Sequence, residues 1–199
     1  MDIYYNQLKN TVNQYYNISD TNFDKIKEFI EIKDIKKNEI LQDAYTPAKY
    51  IYFICTGILR TYYIKDDGSI YNKNLSTANS FSASLVSLLT NEDSYFFIEA
   101  LENGKVIAIN YEGYRNLVHI NNEFKDFHIK YLEENWVVEK EKYELSLIFE
   151  DAAIRYEKFI SQNKDIINKI PLHHIANHLG ITSTQLSRIR NKLKINICK

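Results

Sequence analysis

The densest concentration of chemistry in this 199-residue sequence lies near its end, in the run Thr182-Ser183-Thr184-Gln185-Leu186-Ser187-Arg188-Ile189-Arg190-Asn191-Lys192. Leu186, Ile189 and Leu193 recur at helical spacing. Hydroxyls and an amide therefore gather at the start of one helix, cations succeed them along it, and no acid interrupts them. Hydroxyls and free backbone N–H groups at a helix N-terminus suit phosphates and base edges, and a guanidinium can clamp guanine through two bonds. Just upstream, Ile175, Ala176 and Leu179 form the apolar face of a short helix closed by Gly180, and Thr182 caps the next one. A small residue at Ala176 and glycine at the turn let two helices meet steeply, as a helix-turn-helix requires. A helical hairpin with a solvated basic face has the same composition.

Other reactive side chains form weaker patterns. His174 and His178 stand four apart on the first of these helices, with His173 beside them. Zinc needs further ligands, and no Cys or Glu lies nearby in sequence, so these histidines read as surface or phosphate-contact residues and no metal or cofactor is expected. Glu99 and Glu102 can pair as carboxylates, although Glu102 belongs to a turn and reads as solvated. A roll-type enzyme with an imidazole cage is disfavoured because residues 31–110 contain no His. Cys55 ends an apolar strand and reads as core. Tyr62 and Tyr63 lie on a strand, where cross-strand packing and pocket lining are both open to them.

The elements that must position these groups can be read from composition and period. Hydrophobic residues make up 45% and charged residues 26%, which is globular composition and excludes a disordered chain. The longest uncharged stretch, Asn74 to Asn91, has 8 apolar residues among 18 and is too polar to span a bilayer. Two cysteines exclude a disulfide framework, and MDIYYNQLKN is no signal peptide, so the expectation is a soluble cytoplasmic protein with no membrane partner. Net charge is -1, yet residues 1–150 carry 16 Lys/Arg against 23 Asp/Glu, while residues 151–199 carry 9 against 3. An acidic body with a basic end points to a polyanionic partner.

Along the chain, Ser19 to Thr21 offer N-caps for a helix bearing Phe23, Ile26, Phe29 and Ile30. Short strands come next at Ile30–Ile35, Tyr50–Cys55, Ile58–Lys65, Ser69–Leu75, Tyr95–Leu101 and Lys105–Asn110. Asp67-Gly68 and Asn103-Gly104 mark tight turns between them, a pattern that predicts a small sandwich or roll. Tyr111 to His119 reads as a short helix. Asn121 or Asn122 then caps a long helix to about Glu150, roughly 40 Å at 1.5 Å per residue. Phe124, Tyr131, Val138 and Leu145 recur every seven residues on it, and a second stripe runs through Ile129, Leu132, Trp136, Tyr143 and Leu147. One stripe can serve the chain's own core and the other a partner, or both can be intramolecular.

The sequence resembles the Crp/Fnr family of bacterial transcription regulators over nearly its whole length. The resemblance rests on Ile51-Tyr52-Phe53-Ile54 with Gly57-Ile58-Leu59-Arg60, on Asp67-Gly68, and on Ile98-Glu99-Ala100-Leu101-Glu102 with Val106-Ile107-Ala108-Ile109. Arg155-Tyr156 and Leu186-Ser187-Arg188-Ile189-Arg190 complete it. It implies an α+β chain with three parts: a double-stranded, jelly-roll-like β-roll sensor with N-terminal helices over 1–120, a central dimerisation helix over 121–150, and a helix-turn-helix DNA-binding domain over 151–199. It implies a homodimer on double-stranded DNA, joined through the stripe at Phe124, Tyr131, Val138 and Leu145, with RNA polymerase as a further partner. Ser183, Thr184 and Arg188 take the positions that touch bases. Thr182, Ser187, Arg190 and Lys192 take those at phosphates, with Gln185 on the same surface.

Departures from the family qualify the sensor. Nucleotide-binding relatives carry Gly-Glu and then Arg-Ser in their phosphate cassette, whereas this chain has Ser80-Phe81-Ser82-Ala83-Ser84 and Ser94-Tyr95. A buried cyclic phosphate needs a cation or several N–H donors, so cyclic AMP is not the expected ligand. Ser82, Ser84, Ser94, Tyr95 and Tyr62 are the candidate lining of a pocket for another small effector. Two cysteines are too few for an iron–sulfur sensor of the four-cysteine kind. The competing reading is a small-molecule-binding signalling protein whose helical end binds protein and not DNA.

Overall fold

The computed structural model describes residues 2–164 and 166–193. Helix α1 (Asp2–Tyr15) opens the chain, and a single turn, α2 (Asp20–Phe23), leads into a 3-10 stretch, Asp24–Phe29. Among the described residues, eight strands then close two four-stranded antiparallel sheets. They are β1 (Ile30–Ile35), β2 (Ile40–Gln42), β3 (Tyr50–Thr56), β4 (Leu59–Ile64), β5 (Ile70–Ser76), β6 (Phe81–Ser82), β7 (Phe97–Ala100) and β8 (Gly104–Asn110), with α3 (Leu85–Thr90) between β6 and β7. One sheet has the order β1-β8-β3-β6 and the other β2-β7-β4-β5, so the chain alternates between two facing layers, as a roll does. The predicted hairpin at Asp67-Gly68 joins β4 to β5: Gly68 has φ +77, and Asp67 Oδ1 accepts from Ser69 N at 2.9 Å. At the other predicted turn the chain passes so close that a Cβ on Gly104 would lie 2.2 Å from the Thr56 carbonyl oxygen.

Three apolar clusters hold this arrangement. Inside the roll, Tyr52, Ile54, Leu59, Ile98, Val106 and Ala108 meet between the sheets. On the outer face of the β1-β8-β3-β6 sheet, Phe53, Ile107 and Ile109 pack against Leu8 and Val12 of α1 and against Phe124 and Phe127. Helix α1 is among the N-terminal helices expected, and its Tyr5, Leu8 and Val12 are spaced for one face. The third cluster joins Ile58 and Leu101 of the roll to Tyr156, Phe159, Ile175, Ala176, Leu179 and Leu186, so the C-terminal helices share a core with the second sheet.

Helix α4 (Tyr111–Ile120) is capped by Asn110 and the long helix by Asn121, whose side chain accepts from Phe124 N. The long helix is continuous in direction but changes winding. It runs as α5 (Asn122–Leu132), a π-helical segment (Glu133–Val138) and α6 (Glu139–Phe149). A π turn holds an extra residue, which rotates the downstream turns by about 100°, the angle one residue occupies in an α-helix. The seven-residue stripe splits where the helix leaves the core, since no residue of the π-helical segment or of α6 is buried. Phe124 is wholly buried and Tyr131 packs on the same core, whereas Val138 is 45% and Leu145 46% exposed. Phe124 and Tyr131 thus belong to the chain's own core, not to a surface free for a partner. The backbone extends at Glu150, and Asp151 caps α7 (Ala152–Gln162) by accepting from Ala153 N and Ile154 N at 2.9 Å. No helix among the described residues is long and apolar enough to cross a membrane.

Candidate nucleic-acid interface and its seat on the roll

Helices α8 (Leu172–Leu179) and α9 (Ser183–Lys192) form the helix-turn-helix. Ala176 is fully buried between them with Ile175, Leu179 and Leu186, and Gly180 turns at φ +69, a conformation that side chains with a Cβ resist. Thr182 and Gln185 close a reciprocal capping box: Gln185 N donates to Thr182 Oγ1 at 3.1 Å, and Thr182 N to Gln185 Oε1 at 2.8 Å. These two predicted contact residues therefore already serve the helix start. Ser183, Thr184, Ser187, Arg188, Asn191 and Lys192 are exposed. Arg190 is only half exposed; its Nε is buried without a partner near fully buried Tyr156, whose hydroxyl also lacks one. Arg190 thus leans into its own domain. Lys194 and Cys198 lie outside the described residues.

Helix α8 is seated on β5 and β4. His174 is buried (8% exposed), contrary to the surface role expected of it, and its Nδ1 lies 3.1 Å from Arg60 Nη1. Arg60 in turn donates to Glu99 Oε2 through Nη2 at 2.7 Å and Nε at 3.1 Å, and its guanidinium lies over the Tyr62 ring. Asn72 Nδ2 donates to the His174 carbonyl at 2.9 Å, and His178 Nδ1 approaches the Asn72 carbonyl at 3.3 Å. Sequence reading missed Arg60 and Asn72 as partners here, and it weighed a Glu99–Glu102 pair while reading Glu102 as solvated. Instead Glu102 reaches Lys169, a second charged link between roll and C-terminal region. Arg155 ties the helices at the joint by donating to the carbonyls of Glu150 and Leu179.

The candidate effector residues have other uses. Ser94 Oγ donates to Ser84 Oγ at 2.8 Å and bridges the backbone at Phe96, Ser82 Oγ bonds Thr61 Oγ1 at 3.2 Å, and Tyr62 stacks on Phe97. Tyr95 is 63% exposed. The buried serines close a loop with hydroxyls bonded to one another, and Tyr95 points away from them. A cavity of about 80 Å³ lies instead on the helix side of the strand, among Phe81, Ala83, Phe127, His128, Tyr131 and Trp136. His128 bonds Tyr114 at 3.0 Å, and burial together with nearby Arg115 holds its pKa below the ordinary imidazole value, so it is neutral near pH 7. Cys55 is buried core, its thiol pushed up to about 11 by that burial.

No protein-family model matches the sequence, and no curated protein matches it. Solved structures do. FixK2 from Bradyrhizobium japonicum superposes with a TM-score of 0.69 at 16% identity, over 83% of this chain and 84% of that one. CLP, the c-di-GMP responsive global regulator of Xanthomonas campestris, gives 0.68 at 11% identity, over 89% and 93%. A protein from Eubacterium rectale assigned to the Crp/Fnr family of transcriptional regulators gives 0.63 at 17% identity, over 90% and 85%. The chain has a Crp/Fnr-like fold, with the β-roll, long helix and C-terminal helices of that class.

Proposed function

We propose that this chain is a homodimeric, sequence-specific DNA-binding transcription regulator whose roll responds to something other than a cyclic nucleotide. The observation that carries the reading is α9 itself. Its outward residues Ser183, Thr184, Ser187, Arg188, Asn191 and Lys192 are polar or cationic, none is acidic, and α8 supports it across a tightly packed turn. That is the surface a major groove and its flanking phosphates require. Val138 and Leu145 are among the apolar residues exposed on the long helix and form the surface we assign to a second copy.

Arg188 stands mid-helix, where a guanidinium reaches guanine O6 and N7, and Lys192 one turn later, where the helix leaves the groove. Arg188→Ala is expected to weaken binding to the preferred duplex by about 1–3 kcal/mol and to scrambled DNA little. Lys192→Ala is expected to weaken both alike and to lower the salt slope by about one unit, since one phosphate contact is lost. Salt titrations by fluorescence anisotropy on the two duplexes separate these effects. Equal losses for Arg188→Ala remove it as a base reader, and no binding to any duplex favours the protein-interaction reading.

The sensor half of the proposal is tested by calorimetry. The serines at the cassette positions offer no cation for a phosphate, and the nearby cavity is apolar with a neutral histidine. Cyclic AMP and cyclic GMP are expected to give no saturable heat at micromolar concentrations, and a neutral apolar molecule is the ligand class that suits the cavity. Saturable heat with either nucleotide overturns this.

A further inference from the structure

We propose that Arg60, Glu99 and Asn72 form a proton-sensitive seat for His174, which latches the helix-turn-helix onto the roll. Arginine can only donate, so the 3.1 Å contact makes His174 Nδ1 an acceptor and puts the ring proton on Nε2. The second neighbour of Nδ1, Asn72 Nδ2 at 3.4 Å, is also a donor. A protonated Nδ1–H would face two donors in a buried place. The one acceptor at hand is Asn72 Oδ1, which is buried and unpartnered as the amide now stands. Around the ring the charged and titratable groups are Arg60 of β4, Glu99 of β7, whose carboxylate is taken up by Arg60, and His173 of α8 at 4.0 Å between ring centroids. His178 sits one turn along α8, on the Asn72 carbonyl. The seat accepts imidazole and rejects imidazolium.

Acid therefore weakens the seat. Burial, then Arg60 and His173, lower the His174 pKa from 6.5 to about 4 while it is seated. Released into water it regains its ordinary value. Seating is at full strength above about 6.5 and is lost as pH falls from there toward about 4. Between pH 7.5 and 5 the seating equilibrium shifts by about 30-fold, the ratio of the binding polynomials for those two pKa values. The latch leaves α9 exposed, so its control is over the angle and freedom with which the reading helix is presented.

Its meaning for transcription rests on the DNA-binding reading, but seating is measured on the protein alone, so a failed DNA titration and a failed latch are distinct results. The measurement is amide hydrogen exchange of α8 and β5 at pH 7.5 and 5 in the full chain, corrected for intrinsic rates. Wild type is expected to lose about 30-fold of its protection at pH 5. His174→Gln, which still accepts from Arg60 but does not titrate, is expected to lose clearly less, the remainder coming from His178, whose burial on the Asn72 carbonyl also lowers its pKa. Asn72→Asp places an acceptor carboxylate beside Nδ1 and is expected to invert the trend, seating more firmly at pH 5; it decides the question if His174→Gln does not fold. Flat exchange in wild type, an equal loss in His174→Gln, or a loss of the same sign in Asn72→Asp overturns the latch.

Discussion

Arg60→Ala is expected to destabilise the protein by about 3–5 kcal/mol in urea unfolding, because it leaves Glu99 charged, buried and without its partner. Both side chains are about 10% exposed, so solvent screens the loss little. The same substitution removes the donor to His174, and protection of α8 should fall together with global stability. The control is a double replacement. Arg60→Met with Glu99→Leu removes both charges and refills the space, and such exchanges of a buried pair are commonly neutral or stabilising. The double variant should recover most of the stability while α8 stays poorly protected, since neither new side chain can hold the imidazole. A single variant within about 1 kcal/mol of wild type would mean that Glu99 finds water or another partner, and the pair would lose its assigned role.

Why the sequence exposed some of this architecture and hid the rest is a matter of contact range. Asp67-Gly68, Asn121, Gly180 and Thr182 act on groups a few residues away, and each turn or cap read from them is where expected. The helix-turn-helix was legible for the same reason: Ala176, Gly180 and Leu186 meet across one turn. The seat on the roll was not. Arg60 and Glu99 are 39 residues apart, and Arg60 and His174 are 114 apart, so neither pair leaves a periodic mark. His174 looks like a surface residue because its three neighbours on α8 that pack inward are apolar and it is not. The serine cluster shows a different limit. Ser84 and Ser94 have the polarity of a ligand pocket and bond each other, while a cavity nearby is lined by aromatics that read as core. The π segment escaped because a seven-residue repeat counted through it keeps its spacing in sequence while its side chains rotate off line in space.

The split in burial along the long helix supplies the sharpest test of how it divides its work. Phe124→Ala is expected to lower stability by about 3–5 kcal/mol, since the ring is wholly buried against the outer face of the sheet and against Phe23, at 6.1 Å between ring centroids. It should leave the association state of the folded fraction unchanged, because no part of the ring reaches the surface. Val138→Glu should do the reverse. The side chain is 45% exposed in the single chain, so a carboxylate there stays solvated in the monomer and unfolding should shift by under about 1 kcal/mol. In a dimer joined through this face the same carboxylate would be buried opposite its own copy, where like charges meet in a dry seam and neither has a partner. Light scattering with circular dichroism resolves the two. The expected pattern is an intact helical monomer for Val138→Glu and a weakened but still dimeric protein for Phe124→Ala. A Val138→Glu protein that remains dimeric at micromolar concentration would move the seam off this face. Leu147, Ile148 and Phe149, exposed at the end of α6, would then be the next face to test.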